Sequence, residues 1–284
     1  MNFDEEAKFQ RILGKRVIKT ETYWWLELLE KNVYLSWPSD IPQNIKLREV
    51  VALSILHPLS MFVLTTKNKK LLGIEHKTYF WHASKPYNLL SLHKKARNQT
   101  RRGLENCKVT KIGWDLLTKE GMKINKSSLS RQKRKGFPNP IFTNEKFWAH
   151  DCKCCEKFVD IEAWGAFVDN NLAAYCTIQI YNDKRARIRS AMSDTHYLNF
   201  YPNNALIFTV TENMLSKPNI EFVTYGGQSS DSALEHFKEN MGFSKREAYK
   251  YLFFSPSHLI WRLARSTHMR SNIVHYLWKK VRLF

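Results

Sequence analysis

The fold is decided by residues 195–215, which have the sequence THYLNFYPNNALIFTVTENML. The stretch looks like the end of a strand that turns into a helix. Asn203 or Asn204 can cap that helix, because a side-chain oxygen there accepts free N–H groups of the first turn, and Pro202 fixes the entry. Phosphates commonly bind at such a helix start, but the glycines that allow close approach are missing here.

The second decisive stretch is residues 225–243, YGGQSSDSALEHFKENMGF. It predicts a strand end, a loop and a helix. Ser232 and Glu235 predict a capping box at the start of that helix. Gly242 stands where a left-handed residue ends the helix, so that Phe243 can pack back over the last turn.

Residues 158–255 as a whole predict the order β-β-β-α-β-α-β. The first two strands are joined at Asp169–Asn171, a hairpin signal made of residues that tolerate positive φ. Strands followed by alternating helix and strand indicate an α/β or α+β domain, with a mixed central sheet and helices on its faces. The preference for right-handed crossovers places the helix of residues 203–217 on one face of the central strands.

The composition is that of a globular chain. Of its 284 residues, 43% are hydrophobic and 13% are aromatic, which is enough for a sizeable core. No apolar run approaches the roughly 20 residues that cross a bilayer. Residues 1–16 are acidic and polar where a secretory signal is basic and then apolar, so a cytoplasmic location is expected. Five cysteines in such a chain favour reduced thiols over a disulfide framework.

The chain is strongly basic, with a net charge of +19 and an isoelectric point near 9.7. A field of this sign attracts polyanions, which include nucleic acids, anionic membranes and phosphorylated substrates. The charge is concentrated in residues 123–135 and in the acid-free residues 248–284. Lys94, Arg97 and Arg101 also share one face of a predicted helix, where they either bind phosphate or remain solvated.

Three segments together resemble the GNAT acyltransferase superfamily, in particular its branch of Fem-type aminoacyl transferases. HKKARNQTRRGLENCKVTKI, residues 93–112, resembles the early basic helix and strand of that branch. YPNNALIFTV, residues 201–210, resembles the segment in which a strand splays and leads into the main helix. Residues 225–243 resemble the strand, loop and helix that follow. The resemblance covers residues 88–255 and implies a GNAT-like mixed sheet, splayed open by a bulge, with the acyl donor in the cleft.

One loop departs from the superfamily's pattern, which is Arg/Gln-x-x-Gly-x-Gly/Ala. In the superfamily this loop offers backbone N–H groups to the donor's pyrophosphate at a helix N-terminus. Leu198, Tyr201 and Asn203 stand at the three defining positions. Pro202 has no N–H, and bulky side chains replace glycine. Two alternatives follow: the donor phosphates sit differently, or the donor is not coenzyme A.

The cleft implied by the resemblance assigns roles to particular residues. His196 and Asp194 lie beside it, where they either take the proton of an attacking ammonium group or form a hydrogen-bonded turn. Tyr201 either donates to an oxyanion or a leaving thiolate, or packs as an aromatic residue. The residues expected to bind the acyl-CoA donor are Asn203, Asn204, Ala205, Arg97 and Arg101. The residues expected to bind substrate are Gly226, Gly227, Gln228, Ser229 and Lys238.

The segment HDCKCC, from His150 to Cys155, invites interpretation as a metal site. Structural zinc needs a second pair of ligands further along the chain, whereas Cys107 and Cys176 are single. We therefore expect no metal site, and a nucleophilic cysteine is no better supported.

The chain is expected to divide at the Gly/Pro-rich residues 136–140, GFPNP. Residues 1–140 form an N-terminal α/β region, for which a second, degenerate GNAT-like half is one interpretation. Residues 141–256 form the GNAT-like acyltransferase core. Residues 257–284 form a basic C-terminal helical segment.

The sequence therefore predicts a GNAT-superfamily N-acyltransferase. It would move an acyl group from an acyl-CoA thioester, such as acetyl-CoA, to an amine on a small-molecule or lipid-linked acceptor. A Fem-type transferase that uses aminoacyl-tRNA is the first alternative, and a non-catalytic GNAT-like binding module is the second. The charge also suits tRNA or an anionic membrane at the cytoplasmic face as a partner.

Overall fold

The computed structural model describes residues 1–21, 23–28, 32–41, 43–44, 46–67, 74–132 and 139–255. The helices are α1 (Phe3–Ile12), α2 (Leu47–Leu56), α3 (Lys94–Asn106), α4 (Trp114–Gln132), α5 (Glu145–Glu156), α6 (Pro202–Ser216) and α7 (Ser232–Asn240). The strands are β1 (Val17–Lys19), β2 (Trp24–Glu27), β3 (Val33–Trp37), β4 (Met61–Thr66), β5 (Ile74–Ser84), β6 (Lys108–Ile112), β7 (Ile161–Val168), β8 (Asn171–Tyr181), β9 (Arg185–Ser193), β10 (Phe222–Gly227) and β11 (Ser244–Phe254). Short 3-10 helices span Leu89–Ser91, Pro140–Phe142 and Thr195–Phe200. The basic segment predicted at residues 257–284 lies outside the described residues.

The chain divides into two compact units. Unit 1 comprises Met1–Phe9, Trp81–Gly226 and Asp231–Ser244. Unit 2 comprises Gln10–Phe80, Gly227–Ser230 and the described part of residues 245–284. The boundary expected near residue 140 lies inside unit 1, and the assignment of residues 1–140 and 141–256 to separate domains stays a prediction. Within the described ranges, no helix combines the length and hydropathy needed to cross a membrane.

Unit 1 contains a mixed sheet with the strand order β10-β9-β8-β7-β6. β10 runs parallel to β9, and the other pairs are antiparallel. The hairpin between β7 and β8 turns at Asp169 and Asn170, whose φ angles are 47° and 64°. This confirms the predicted turn, since a two-residue hairpin loop with positive φ matches the twist of its strands.

Helices cover both faces of the unit 1 sheet. α6 packs on β7, β8 and β9, and α3 packs over α6, whereas α4 and α5 pack on the other face. α6 is buried on nearly every side because it lies between the sheet and α3, so its predicted inner residues Ile207, Val210 and Met214 are all buried. A mixed α/β sheet with helices on both faces is the predicted fold class.

The strands assigned to unit 2 follow one another in the order β1-β2-β3-β4-β11-β5 and are mixed in direction. β3 runs parallel to β4, while β4 pairs antiparallel with β11. α2 packs Val50 and Leu53 against a core that includes Trp25, Phe62 and Tyr251. The interpretation of this region as a second GNAT-like half stays a prediction.

The predicted N-caps of two helices were wrong by one to three residues. α6 begins at Pro202 after Tyr201, so neither Asn203 nor Asn204 is its N-cap. The N-cap of α7 is Asp231, whose carboxylate accepts from the N–H groups of Ala233 and Leu234 at 3.0 and 3.2 Å. A carboxylate there also suits the helix dipole, which explains why it displaces the predicted Ser232.

The predicted end of α7 is confirmed. Gly242 has a φ of +80°, and the N–H of Phe243 donates to the carbonyl of Lys238 at 3.1 Å. A left-handed residue turns the chain back over the last carbonyls, and glycine adopts that conformation without steric cost.

Close packing of α3 on α6 depends on Gly103. A Cβ added there would lie 2.7 Å from the Tyr201 carbonyl oxygen and 3.2 Å from the Ala205 Cβ. We predict that Gly103→Ala lowers the free energy of unfolding by about 1–3 kcal/mol, because the two helices must separate. Urea denaturation measures the loss.

Gly113→Ala is the matched control, because an added Cβ there meets nothing within 4 Å. It should change stability by less than about 0.5 kcal/mol. Equal stabilities for the two variants would show that α3 and α6 do not need this contact.

A second prediction concerns Lys250 of β11 in unit 2, a half-buried side chain. Burial lowers the pKa of Lys250 from 10.5 to about 8. Below that pKa the folded state must hold a poorly solvated charge, so Lys250→Met should raise the free energy of unfolding at neutral pH, by about 2–3 kcal/mol at most.

The sign of the pH dependence follows from the same shift. The unfolded chain holds the proton up to pH 10.5, so wild-type stability should rise from pH 8 to 10.5 and approach that of Lys250→Met. Urea titrations across this range test the prediction, and a constant difference between the two proteins would contradict it.

Candidate active site at the open end of strand β9

The centre of the unit 1 sheet is splayed. β9 and β10 share register only from Arg185 to Arg187, opposite Phe222 to Thr224. β9 then continues along β8 to Ser193, while β10, which is also fully described, shares no further register with it. The expected splay is therefore present, and it leaves a slot between the diverging strands.

A β-bulge at Arg189 begins where the two strands part. Thr177 pairs with Ser190 and Ile178 pairs with Ile188, so Arg189 is the extra residue in β9. Its guanidinium donates to the Cys155 Sγ at 2.9 Å and to the Asp151 carboxylate at 3.1 Å, both on α5. A bulge bends its strand and increases the local twist. The ion pair with α5 holds the bend in place.

Beyond Arg187, backbone donors of β9 have no pairing partner in β10. The N–H of Asp194 donates to the Ala173 carbonyl of β8 at 2.9 Å. Because backbone groups alternate along a strand, the N–H groups of Ala191 and Ser193 point away from β8. They therefore face the side from which β10 has diverged, where a carbonyl oxygen can accept from them.

A polar cluster surrounds the end of β9, and its main member is Arg131 of α4. The guanidinium donates to the Ser193 carbonyl at 3.4 Å, the Ser193 hydroxyl at 3.3 Å and the Thr195 hydroxyl at 3.1 Å. Burial lowers the pKa of Arg131 from its ordinary value, and the charge of Asp194 offsets only part of this shift. Sequence reasoning assigned no site role to Arg131 or Ser193. The spacing of Ser127, Ser128 and Arg131, which places them on one face of a helix, could have indicated a polar site.

Asp194 caps the 3-10 helix that follows β9. Its carboxylate accepts from the Ser127 hydroxyl at 2.8 Å and from the His196 N–H at 3.1 Å. Burial raises the pKa of Asp194, but these hydrogen bonds and the charge of Lys123 outweigh it, so the pKa is lowered. A carboxylate of low pKa accepts protons weakly at neutral pH.

The His196 ring is exposed and meets Tyr197 edge-on, with the centroids 5.0 Å apart. Catalytic roles for Asp194 and His196 stay predictions.

Tyr201 holds a glycine-like backbone conformation at the N-terminus of α6. Its φ is +55°, which bulky residues rarely adopt. The loop thus turns as a glycine would turn it, although the side chain is large. The Arg102 guanidinium lies over the Tyr201 ring at 5.0 Å and donates to its hydroxyl at 3.4 Å. Such strain persists only where surrounding contacts enforce it, and it often marks a functional site.

Asn203 is the predicted donor-binding residue that best fits the slot. Its Nδ2 donates to the Ser193 hydroxyl at 2.9 Å. Its Oδ1 is buried and has no hydrogen-bond partner in the described part of the chain. A buried acceptor without a partner is costly, which makes it a natural contact for a ligand N–H or O–H. Asn204 and Ala205 are buried, and the Asn204 Nδ2 lies 3.5 Å from the Met241 Sδ.

The two arginines of α3 that were predicted to bind the donor differ in their contacts and in their exposure. Arg97 donates to three carbonyl groups just before the helix, at 2.9 Å to Leu89, 3.2 Å to Leu90 and 3.0 Å to Leu92. Arg101 is exposed, as are the neighbouring basic residues Lys94, Lys95 and Arg102. The accessible cations of α3 are therefore these four, and donor binding by Arg97 and Arg101 stays a prediction.

The predicted substrate-binding residues fall in different units. Gly226 and Lys238 lie in unit 1, whereas Gly227, Gln228 and Ser229 lie in unit 2. Gly226 has a φ of +67°, and the Gln228 N–H donates to the Tyr79 carbonyl at 3.0 Å. The roles of these five residues in binding stay predictions.

Lys238 is buried rather than solvated. Its Nζ lies 3.5 Å from a Glu235 carboxylate oxygen and 5.5 Å from the centre of the Tyr225 ring. The same carboxylate oxygen accepts from the Trp81 indole N–H at 3.0 Å. Buried charges are kept when they are paired, so Lys238 has at least a structural role in holding α7.

The cysteines of HDCKCC are buried thiols. Burial raises the pKa of Cys152 to about 12 and raises that of Cys155 further. They stay protonated at neutral pH and are poor nucleophiles. Among the described residues, no group of three or more His, Cys, Asp or Glu side chains is placed to hold a metal ion.

Solved structures with a similar fold include a GCN5-related N-acetyltransferase and FemX, whereas no protein-family model and no curated protein sequence matches the chain. A DUF2156 C-terminal domain from Agrobacterium fabrum, assigned to a lysylphosphatidylglycerol synthetase, has 12% identity and a TM-score of 0.63 over 93% of this chain and 91% of its own. FemX has 10% identity and a TM-score of 0.61 over 91% and 92%. A GCN5-related N-acetyltransferase from Kribbella flavida has 10% identity and a TM-score of 0.50 over 90% and 95%. At such identities the likeness shows the fold.

The lowered pKa of Asp194 gives a testable stability effect. A group whose folded pKa lies below its ordinary 3.8 stabilises the protein above that pH, and the contribution disappears as the pH falls through the folded value. We predict that Asp194→Asn costs about 1 kcal/mol at neutral pH and progressively less in acid.

Urea denaturation from neutral pH down to about pH 3 measures this difference. Asp169→Asn is the control, because Asp169 is exposed in a turn whose positive φ asparagine tolerates equally well. A cost for Asp194→Asn that does not change with pH would show that the carboxylate charge is not responsible.

Proposed function

We propose that this chain, which has the fold shared by GNAT acetyltransferases and FemX, is an N-acyltransferase. The single observation that supports the proposal best is the splay of β9 from β10. It leaves the N–H groups of Ala191 and Ser193 facing a slot within the sheet. Donors fixed by the sheet can stabilise charge on a carbonyl oxygen without reorganising during the reaction.

In this proposal the acyl carbonyl oxygen accepts from a β9 N–H group. The amine nitrogen attacks the carbonyl carbon, the bond from that carbon to the donor's sulfur breaks, and the leaving thiolate takes the proton that this nitrogen loses as the amide forms. The chain contributes positioning and polarisation, which together supply much of the barrier reduction in acyl transfer. His196, which is exposed beside the end of β9, is the side chain we assign to accept the ammonium proton.

Arg131 and Asn203 hold the end of β9 in this arrangement. Both bond to Ser193, from α4 and α6 respectively. The unpartnered Asn203 Oδ1 then accepts an N–H group, which either the amides of an acyl-CoA donor or the attacking amine can supply. In this proposal the acceptor is an amine, carried by a small molecule or a lipid-linked group.

Thermal unfolding with and without donors tests the proposal. A ligand that binds only the native state stabilises it by about 2.7 kcal/mol at a hundredfold excess over its Kd, which should raise the Tm by several degrees. We expect acetyl-CoA or longer acyl-CoAs to raise the Tm. No shift with any of them would contradict a thioester donor.

The role of Asn203 can be tested separately from folding. Asn203→Ala should lower donor or acceptor affinity about tenfold, since a hydrogen bond to a buried group is lost. Stability should fall by no more than about 1 kcal/mol, because the Nδ2 bond to Ser193 is lost but the unpartnered Oδ1 is removed with it. Asn213→Ala, at the exposed far end of α6, is the matched control. Equal binding by both variants would place the ligand elsewhere.

Aminoacyl-tRNA is the second candidate donor. The observation that favours it is the exposed basic face of α3, formed by Lys94, Lys95, Arg101 and Arg102. The other side of the same helix meets the N-terminus of α6, where Gly103 approaches Tyr201. Lysine and arginine side chains that bind phosphates give an affinity that falls with salt.

Gel-shift assays with charged tRNA test this candidate. Lys95→Gln with Arg101→Gln should weaken binding and flatten its salt dependence, whereas Lys146→Gln with Lys153→Gln on α5 should not. Salt-sensitive tRNA binding without an acyl-CoA shift would favour the tRNA donor. The absence of both responses would favour a non-catalytic binding module.

A further inference from the structure

Helix α2 of unit 2 presents an apolar face to solvent. Val50 and Leu53 cover the sheet, but Ile55 and Leu56 are 65% and 73% exposed, and Leu59 just after the helix is 62% exposed. Val51 on the same side is also exposed. A surface helix normally carries polar residues on its outer side, so an apolar outer side favours a covering partner.

The start of α2 carries exposed basic residues, and the helix has no exposed acid. Glu49, the one acid of α2, is buried and accepts from the Thr20 hydroxyl at 2.9 Å. Lys46 and Arg48 are exposed at the start of the helix, although Arg48 also contacts Glu21 at 3.1 Å. The apolar face itself therefore carries no exposed carboxylate.

The described chain ends beside the same face. The Ser255 N–H donates to the Ser60 carbonyl at 3.2 Å, one residue after Leu59, and the Ser255 hydroxyl donates to the Pro58 carbonyl. The sequence continues from this point as residues 256–284, which contain six Lys and Arg residues, three tryptophan or tyrosine residues and no acid. Aromatic and basic residues together are typical of segments that lie at a membrane surface.

We propose that the exposed face of α2, formed by Val51, Ile55, Leu56 and Leu59, docks the protein onto an anionic lipid bilayer. The helix of ten residues is about 15 Å long, so it can lie in the headgroup region but cannot cross a hydrocarbon core of about 30 Å. The apolar side chains enter the boundary of the acyl chains, while the basic residues around them attract the lipid phosphates. This surface is independent of the proposed acyl transfer.

Vesicle flotation of the full chain tests the proposal. The probes are vesicles of phosphatidylcholine alone and of phosphatidylcholine mixed with phosphatidylglycerol, at physiological ionic strength. We expect binding to the mixed vesicles and much weaker binding to the neutral ones. Ile55→Gln with Leu56→Gln should reduce binding to the mixed vesicles at least about tenfold, because two apolar side chains no longer leave water. Glutamine leaves the net charge unchanged.

The matched control is Leu90→Gln with Val159→Gln, which removes two aliphatic side chains that are 74% and 93% exposed in unit 1. This control should bind as the wild type does, and both variants should retain the wild-type circular dichroism spectrum and Tm. Equal binding by all three proteins, or no binding by the wild type, would overturn the proposal. Light scattering adds one more test: a wild-type dimer that becomes monomeric in Ile55→Gln with Leu56→Gln would assign the face to self-association instead.

Discussion

The separation of β9 from β10 is the constraint on which the rest of the candidate site depends. When two parallel strands stay paired, their facing N–H groups donate to each other's carbonyl groups and are not available to a ligand. Here the bulge at Arg189 ends that pairing after three residues. The ion pair of Arg189 with Asp151 ties the bulge to α5, so the splay is built into the packing of one face of the sheet.

The opposite face supports the same slot through α3 and α6. Gly103 allows α3 to approach the first turn of α6, and Tyr201 accepts a left-handed conformation so that the helix can begin directly after it. Asn203 then reaches back to Ser193 at the end of β9. The open strand edge, the helix start and the polar cluster around Arg131 thus form one connected arrangement within unit 1.

Much of this fold follows from local sequence signals. The hairpin at Asp169 and Asn170 and the end of α7 at Gly242 were predictable because their residue types suit positive φ. The starts of α6 and α7 were not, because several polar residues in a row compete for each cap. Asp231 prevails over Ser232 through its charge, and Tyr201 precedes α6 because tertiary contacts override its own preference.

The site was less predictable than the fold. Asn203 was named from its place in the superfamily's loop, but its unpartnered oxygen appears only when α6 is packed against β9. Arg131 and Ser193 are 62 residues apart, and Arg189 and Asp151 are 38 apart, so no short motif contains either pair. The exposure of the apolar residues of α2 was also not predictable, because apolar residues in a helix are normally expected to be buried.

Hydrogen–deuterium exchange along β9, with and without an acyl thioester donor, measures the central claim most directly. An amide that binds a carbonyl oxygen exchanges more slowly than the same amide without that hydrogen bond. The account predicts that the donor slows exchange in the peptide covering Ile188–Ser193 more than in β7 or β8. Unchanged exchange in that peptide, at a donor concentration that stabilises the protein, would show that the slot is not where the activated carbonyl binds.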